Sequence, residues 1–126
     1  MRIVLDAGAL IALERRDKRL WSVLKLAATR RDDVLVPSTV VAQVWRGTRR
    51  QASLARALDQ CVITGFDGMA RDVGLLCGRT RTTDICDAHV ALVATRSGDI
   101  LYTGDPDDLE PLIAVCSGAA PVILPC

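Results

Sequence analysis

The stretch IVLDAGAL at residues 3–10 joins a short apolar run to a single acid and then to a helical pattern. Residues 2–5 lack alternation of polar and apolar side chains, which is typical of a parallel strand covered on both faces. A helix is expected to follow at once, from about Gly8 to Arg15. A buried strand that passes directly into a helix predicts an α/β fold.

The rest of the chain repeats this alternation of strands and helices. Further strands are expected at about 34–36, 62–63, 100–103 and 122–124, and further helices at about 18–30, 38–46, 51–59, 66–77, 84–96 and 106–115. We expect Ser38 to cap one helix, and Gly47 and Gly78 to end two others. This order predicts one α/β domain over residues 1–126, with helices flanking a mainly parallel sheet of about four to five strands.

Composition limits the classes of function that the chain can have. The net charge of +1 gives no global attraction to nucleic acid, and aromatic residues make up only 3% of the sequence, too few for base-stacking platforms. Only two of the 16 basic residues are lysines, so 14 are arginines, which suits phosphate binding or reflects a GC-rich genome equally well. The five cysteines form no CxxC pair, and no run resembles a signal peptide or membrane span, so a cytoplasmic protein is expected.

Three aspartates are predicted to meet at one edge of the sheet. Asp6 and Asp105 each follow a predicted strand, and Asp87 lies near the start of a predicted helix. In open α/β sheets, sites form beyond the carboxyl ends of the strands. Carboxylates gathered there repel one another unless a cation or a shared proton relieves them, and oxygen ligands suit Mg²⁺ or Mn²⁺. The pattern therefore predicts a metal-dependent enzyme.

Each acid also has a purely structural interpretation. Asp6 can cap the helix that follows it, and Asp84 suits a helix N-cap better than a ligand position. Asp87 falls at the third position of its helix, where acids are common in capping boxes. Asp105 precedes proline and two further acids, a pattern typical of a helix start. His89 is interpreted as a packed or exposed side chain rather than a general base.

Four segments in this order resemble the PIN-domain ribonucleases of the VapC toxin type: residues 3–10, 36–44, 87–94 and 101–109. The resemblance implies a PIN-like three-layer fold and a Mg²⁺- or Mn²⁺-dependent endoribonuclease that hydrolyses RNA. By position, Asp6, Asp87 and Asp105 match the catalytic acids that bind the metal, with Asp108 as a further metal-site carboxylate. The resemblance also implies an RNA substrate, a cognate antitoxin and a homodimer.

Position 43 departs from the pattern of this family. Gln43 stands where the catalytic set has glutamate, which removes one negative charge from the site. Three explanations are open: a weakened enzyme, replacement of the charge by Glu14, or an engineered change. The alternative function is a catalytically impaired PIN-like domain that binds RNA or a protein without cleavage. The helices that carry Trp21 and Trp45 are candidates for the antitoxin surface, for a dimer interface, or for the core.

Overall fold

The centre of the fold is a sheet of five strands. In the computed structural model, which describes all residues from Met1 to Cys126, these are β1 (Arg2–Leu5), β2 (Asp33–Pro37), β3 (Val62–Thr64), β4 (Ile100–Thr103) and β5 (Val122–Pro125). Their order across the sheet is β3-β2-β1-β4-β5, and all four neighbouring pairs are parallel. The α/β fold with a mainly parallel sheet is therefore confirmed.

Seven α-helices connect and flank these strands. They are α1 (Ala7–Glu14), α2 (Lys18–Arg30), α3 (Ser38–Val44), α4 (Ala52–Leu58), α5 (Ala70–Thr80), α6 (Ile85–Ser97) and α7 (Pro106–Val115). Short 3₁₀ turns lead into α4 and α5 at Arg49–Gln51 and Asp67–Met69. The long apolar and amphipathic patterns gave the helices correctly, and the differences lie at their ends.

Three helix ends differ from the sequence-based expectation. Ser38 does not cap α3: it is the first helical residue, and Pro37 occupies the N-cap position without a side-chain hydrogen bond. Trp45 is extended, so α3 ends before Arg46. Gly78 does not end α5. The helix continues to Thr80, and Arg81, three residues after Gly78, ends it in the left-handed conformation with φ of 56°. Glycine favours such an end but is not required for it.

Two groups of helices cover the two faces of the sheet. Helix α1 contacts α2, α3 and α4, helices α5, α6 and α7 contact one another, and α3 also contacts α6. Right-handed crossovers place these groups on opposite faces, because the chain moves outward from β1 to β3 and then returns across the sheet to β4 and β5. The core between the layers contains 27 buried apolar residues. None of the helices combines the length and apolar character that crossing a membrane requires.

The reversal of strand order lies between β1 and β4. The chain leaves β1 towards β2, and it leaves β4 towards β5 on the other side. Such a switch point opens a crevice beyond the carboxyl ends of the two strands, and this is where α/β proteins bind ligands. Asp6 and Asp105 follow β1 and β4 closely, and both therefore lie at this crevice.

Candidate active site at the carboxyl edge of the sheet

Asp6 is a buried carboxylate surrounded by hydrogen-bond donors. Its side chain is 6% exposed and caps α1, since Oδ1 accepts the Ala9 amide at 3.1 Å. Burial raises the pKa of Asp6, while hydrogen bonds from the Thr103 hydroxyl and from the backbone of Ala9, Gly104 and Gly8 act in the opposite direction. The capping interpretation of Asp6 therefore holds. A carboxylate can cap a helix and still present its second oxygen to a ligand.

Two glycines bring the backbones of α1 and the β4–α7 loop into direct contact. A Cβ atom on Gly8 would lie 2.7 Å from both the Cα and the N atom of Gly104. Next to this contact, the buried Thr103 hydroxyl accepts the Asp105 amide at 2.9 Å. The segments that carry Asp6 and Asp105 are thus fixed against each other by main-chain packing and by one shared hydroxyl.

Asp87 is half-buried in the first turn of α6 and is crowded by other acids. Burial raises its pKa most, followed by the charge of Asp84 and a hydrogen bond to it, and then by the charges of Asp108 and Asp6, so that the pKa reaches about 7. No basic residue contributes to this shift. The carboxylates at this edge therefore act on one another through unrelieved repulsion, as expected of acids that gather at one site.

Asp84 is the residue of this edge that sequence reasoning undervalued. It caps α6, as predicted, by accepting the Asp87 amide at 3.0 Å. It also lies beside the Asp87 side chain, and both line a cleft of about 230 Å³ together with Thr80, Thr82, Asp108, Pro111 and Leu112. The signal was available, because residues three apart lie on the same face of a helix. The strong capping pattern hid it.

Asp105 and Asp108 form the outer part of the same edge. Asp105 occupies the N-cap position of α7 but makes no side-chain capping hydrogen bond. It instead pairs with Asp108: a hydrogen bond to Asp105, and then the charge of Asp105, raises the pKa of Asp108. The helix-start interpretation of Asp105 is confirmed, since Pro106 and two acids follow it in the first turn of α7, although its side chain makes no capping hydrogen bond. Asp108 connects this pair to Asp87 through its charge.

Gln43 and Glu14 form no hydrogen bond with the acids of this edge. Gln43 is exposed and is the sixth of the seven residues of α3, away from the end that begins at the sheet edge. Glu14 is the last residue of α1, and its Oε1 accepts the Gln51 amide at 2.7 Å. Asp6 caps the opposite end of α1, whereas Gln51 joins Glu14 to the Val44 carbonyl at the end of α3. Replacement of the missing charge by Glu14 stays a prediction.

His89 is fully buried and is therefore a packed side chain, one of the two alternatives foreseen. Its Nδ1 atom is 2.8 Å from the Thr39 hydroxyl, and its ring packs edge-on against Phe66 with centroids 5.4 Å apart. Burial lowers the pKa of His89, with a smaller opposing effect from Gly65. The Nε2 atom has no hydrogen-bond partner. The histidine joins α6 to α3 and does not reach the acids through a hydrogen bond.

The carboxylate oxygens of this edge suit a hard divalent cation that takes only one or two ligands from the protein. No group of three or more His, Cys, Asp or Glu side chains has the arrangement of a metal site. Mg²⁺, however, is commonly held by one or two carboxylates and completed by water and substrate phosphate. The repulsion around Asp87 is what such a cation would relieve. Asp87 and its neighbours Asp84, Asp108 and Asp6 are the residues that fit this description.

Comparison with known proteins supports the fold. The sequence matches no protein-family model and no curated protein. The structure is similar to a chain in the crystal structure of VapBC2 from Rickettsia felis bound to a DNA fragment from their promoter, with a TM-score of 0.72 and 15% sequence identity. The match covers 100% of this chain and 99% of the other. The PIN-like fold is shared.

The two tryptophans differ in their environment. Trp21 is partly buried against the core, and its indole N–H donates to the Leu13 carbonyl at 3.1 Å. Trp45 follows α3 and is 39% exposed. Trp21 therefore contributes to the packing between α1 and α2 and also lines a surface cavity of about 580 Å³, while Trp45 is exposed beside α3.

Proposed function

We propose that this chain is a Mg²⁺- or Mn²⁺-dependent endoribonuclease, the toxin of a toxin–antitoxin pair, which hydrolyses RNA phosphodiester bonds. The observation that carries the proposal is the group of mutually repelling carboxylates at the β1/β4 switch point. Their repulsion raises the pKa of Asp87 to about 7 without a compensating basic residue. A fold of this kind does not need such crowding for stability, and the crowding costs stability at neutral pH.

The acids have different parts in this proposal. Asp87, with Asp84 and Asp108 beside it, presents oxygens to the cleft, while Asp6 and Asp105 border the crevice beyond β1 and β4. A bound divalent ion would lower the pKa of its water and neutralise charge that develops on the phosphate. Burial raises the pKa of Asp6, and the hydrogen-bond donors around its carboxylate partly offset that rise. A cation bound at this cleft would lower the pKa of Asp87 and keep its carboxylate charged as a ligand.

A second candidate function is a PIN-like domain that binds RNA or a protein without cleavage. Gln43 favours it, because an amide contributes an oxygen but neither a negative charge nor a base. The set of acids at the edge favours the nuclease, because binding alone has no use for repelling carboxylates. Cleavage assays separate the two functions directly.

The proposed partners follow from the same assignment. We propose a small antitoxin as protein partner, in keeping with the likeness to a chain of a VapBC2 structure, and a cytoplasmic site of action. The exposed Trp45 beside α3 is a candidate contact for that antitoxin or for a second copy in a homodimer. Light scattering of the isolated chain tests the homodimer.

The nuclease proposal is tested by replacing Asp87 with asparagine, which keeps the size of the side chain and removes its charge. Cleavage of total RNA in Mg²⁺ or Mn²⁺ should fall at least about 100-fold in Asp87→Asn, and chelation with EDTA should abolish it in the unmodified protein. Asp59→Asn is the matched control, because Asp59 is an exposed aspartate at the end of α4. Equal cleavage by Asp87→Asn and Asp59→Asn would reject the site, and absence of metal-dependent cleavage in the unmodified protein would favour the non-cleaving domain.

A Gln43→Glu variant tests whether position 43 is a weakened part of the same site. If the amide limits metal binding, the added carboxylate should raise cleavage at low Mn²⁺ concentration by about 10-fold or more. Gln60→Glu, another exposed glutamine changed in the same way, controls for the added negative charge. Unchanged cleavage in Gln43→Glu would show that position 43 is not a missing ligand.

A further inference from the structure

A second charged surface lies away from the acids, around the C-terminal ends of α1 and α3 and the start of α4. It consists of five exposed arginines, here called the arginine surface: Arg16, Arg46, Arg49, Arg50 and Arg56. The ion pairs of the protein are formed by Met1 with Asp32 and by Arg96 with Asp72. None of the five guanidinium groups therefore has a carboxylate partner.

Gln51 fixes the loop that carries three of these arginines. Its side chain is 5% exposed and uses both ends of the amide. Oε1 accepts the Arg46 and Gly47 amides at 2.7 and 3.0 Å, and Nε2 donates to Glu14 Oε1 at 2.7 Å and to the Val44 carbonyl at 2.9 Å. A glutamine amide has two donor hydrogens and two main acceptor positions, so Gln51 is fully satisfied. The loop is thereby attached to both α1 and α3.

Ser53 fixes the other two arginines. It is 3% exposed, and its hydroxyl accepts Arg16 Nε and Arg56 Nη2, each at 3.2 Å. Gln51 and Ser53 are two of the six buried polar or charged residues of the protein. Burial of polar groups is unfavourable unless they are hydrogen-bonded, and here the bonds go to the segments and side chains of the arginine surface. The hydrogen bonds of these two buried side chains therefore hold the arginine surface in place.

The residues that line the groove at the arginine surface indicate which kind of ligand it can bind. It has a volume of about 500 Å³ and no hydrophobic residue among those that line it, which are Glu14, Arg46, Thr48, Arg49, Arg50 and Gln51. Glu14 Oε1 is engaged by Gln51, and Arg46 Nη1 donates to the Ala42 and Trp45 carbonyls. The guanidinium forks of Arg49 and Arg50 make no hydrogen bond within the protein and remain available for phosphate oxygens. A series of phosphates along one strand matches several arginines better than a single small anion does.

We infer that the arginine surface binds the phosphodiester backbone of an RNA strand, as a contact region separate from the acids. The identity of the strand as RNA rests on the proposed function. Helix α3 leads from the carboxyl edge of the sheet to this loop, and its seven residues span about 10 Å. A strand bound across the acidic edge can therefore continue along α3 to Arg46, Arg49 and Arg50.

The experiment measures binding rather than cleavage. Fluorescence anisotropy with a labelled single-stranded RNA in EDTA, from about 50 to about 200 mM salt, gives the affinity and its salt dependence. Charge reversal in Arg49→Glu/Arg50→Glu should weaken binding at least about 10-fold and reduce the slope of log K against log salt by about 1.4, since each phosphate contact on a single strand contributes about 0.7. Arg49→Lys/Arg50→Lys should keep the slope. Single-stranded DNA of the same sequence should show the same loss, because phosphates are the contacts.

The matched control is Arg30→Glu/Arg71→Glu, which makes the same change in net charge at exposed arginines on α2 and α5. Equal affinity and slope in this control and in Arg49→Glu/Arg50→Glu would overturn the inference, as would absence of RNA binding by the unmodified protein. Arg49→Gln/Arg50→Gln repeats the test without charge reversal if circular dichroism shows that the glutamates unfold the chain. A loss of binding in a protein that never cleaves RNA would support this surface while rejecting the nuclease.

Discussion

Asp6 is the N-cap of α1 and Asp87 lies in the first turn of α6, both at one edge of the sheet, but their surroundings differ. Asp6 is buried among donors from Thr103 and from the backbone of Ala9, Gly104 and Gly8. Asp87 is more open to solvent and has Asp84, Asp108 and Asp6 as its charged neighbours. One half of the edge surrounds a buried carboxylate with donors that partly offset its burial, and the other half places carboxylates against one another.

This difference separates structural from functional roles within one set of acids. Hydrogen bonds to Asp6 offset its burial, so this residue contributes to the joint between α1 and the β4–α7 loop as well as to the crevice. The repulsion around Asp87 has no partner inside the protein and is expected to be relieved by a bound cation. Changes in the Asp6 half should therefore lower stability, whereas changes in the Asp87 half should raise it in the absence of metal.

The largest effect on stability is expected from Gly8→Ala in the Asp6 half. The new Cβ atom would meet the Gly104 backbone at 2.7 Å, and main-chain atoms cannot turn aside as a flexible side chain can. We expect a loss of about 2–3 kcal/mol in the free energy of unfolding, because overpacking outweighs the better helix propensity of alanine. Urea denaturation followed by circular dichroism measures it.

Gly74→Ala is the control, because this glycine lies within α5 and a Cβ there has open space around it. It should leave stability unchanged or raise it by up to about 1 kcal/mol. If Gly8→Ala were as stable as Gly74→Ala, the contact between α1 and the β4–α7 loop would not be a rigid part of the edge.

The next effect concerns Asp87 and the pH dependence of stability without metal. The pKa of Asp87 is about 7 in the folded chain, above the ordinary value of 3.8, so protonated Asp87 favours folding. Its contribution is fully present below about pH 4 and is lost as pH rises through 7. The pKa difference would correspond to about 4 kcal/mol out of contact with water, and solvent screening at this half-exposed site reduces the expected loss to about 1–2 kcal/mol.

Asp87→Asn isolates this contribution. In EDTA, the variant should be more stable than the unmodified protein at pH 7.5 and equal to it near pH 4, when both are unfolded with urea across that range. Subtraction of the two curves removes the remaining carboxylates, which titrate in both proteins. A constant difference between the curves would mean that repulsion at Asp87 is weaker than the structure indicates.

The fold was largely predictable from the sequence, because each element has a strong local pattern. The bounds of β1, β4, α2 and α7 agree with expectation, since apolar runs and helical spacing mark them clearly. The ends of α3 and α5 were not predictable in the same way. Pro37, rather than Ser38, precedes the first turn of α3, and Arg81 adopts a conformation that sequence patterns assign to glycine. Packing around the helix ends decided these positions.

The location of the candidate site was predictable from the sequence, but the full set of residues that form it was not. Parallel topology places Asp6, Asp87 and Asp105 at one edge, which needs only the order of elements. The contact between Asp84 and Asp87, and the pairing of Asp105 with Asp108, depend on side-chain directions that local patterns do not give. Gln51 and Ser53 were missed because a buried polar residue is recognised by its partners, and these lie up to 37 positions away in the sequence.

The smallest effect is expected for Asp6→Asn, and comparison with Asp6→Ala separates the loss of the cap from the loss of the charge. Asp6→Ala removes the acceptor for the Ala9 amide and should cost about 1–2 kcal/mol, while Asp6→Asn keeps an acceptor and should cost only a few tenths, or about 0.3 kcal/mol. Asp17→Ala, which removes the equivalent cap of α2 at an exposed position, gives the cost of a cap alone. A cost for Asp6→Asn as large as that for Asp6→Ala would show that the donors around Asp6 require its negative charge. In that case the stability of both halves of the edge would depend on charge. Removal of the charge would destabilise the protein at Asp6 and stabilise it at Asp87, and Asp6 could no longer be assigned a purely structural role.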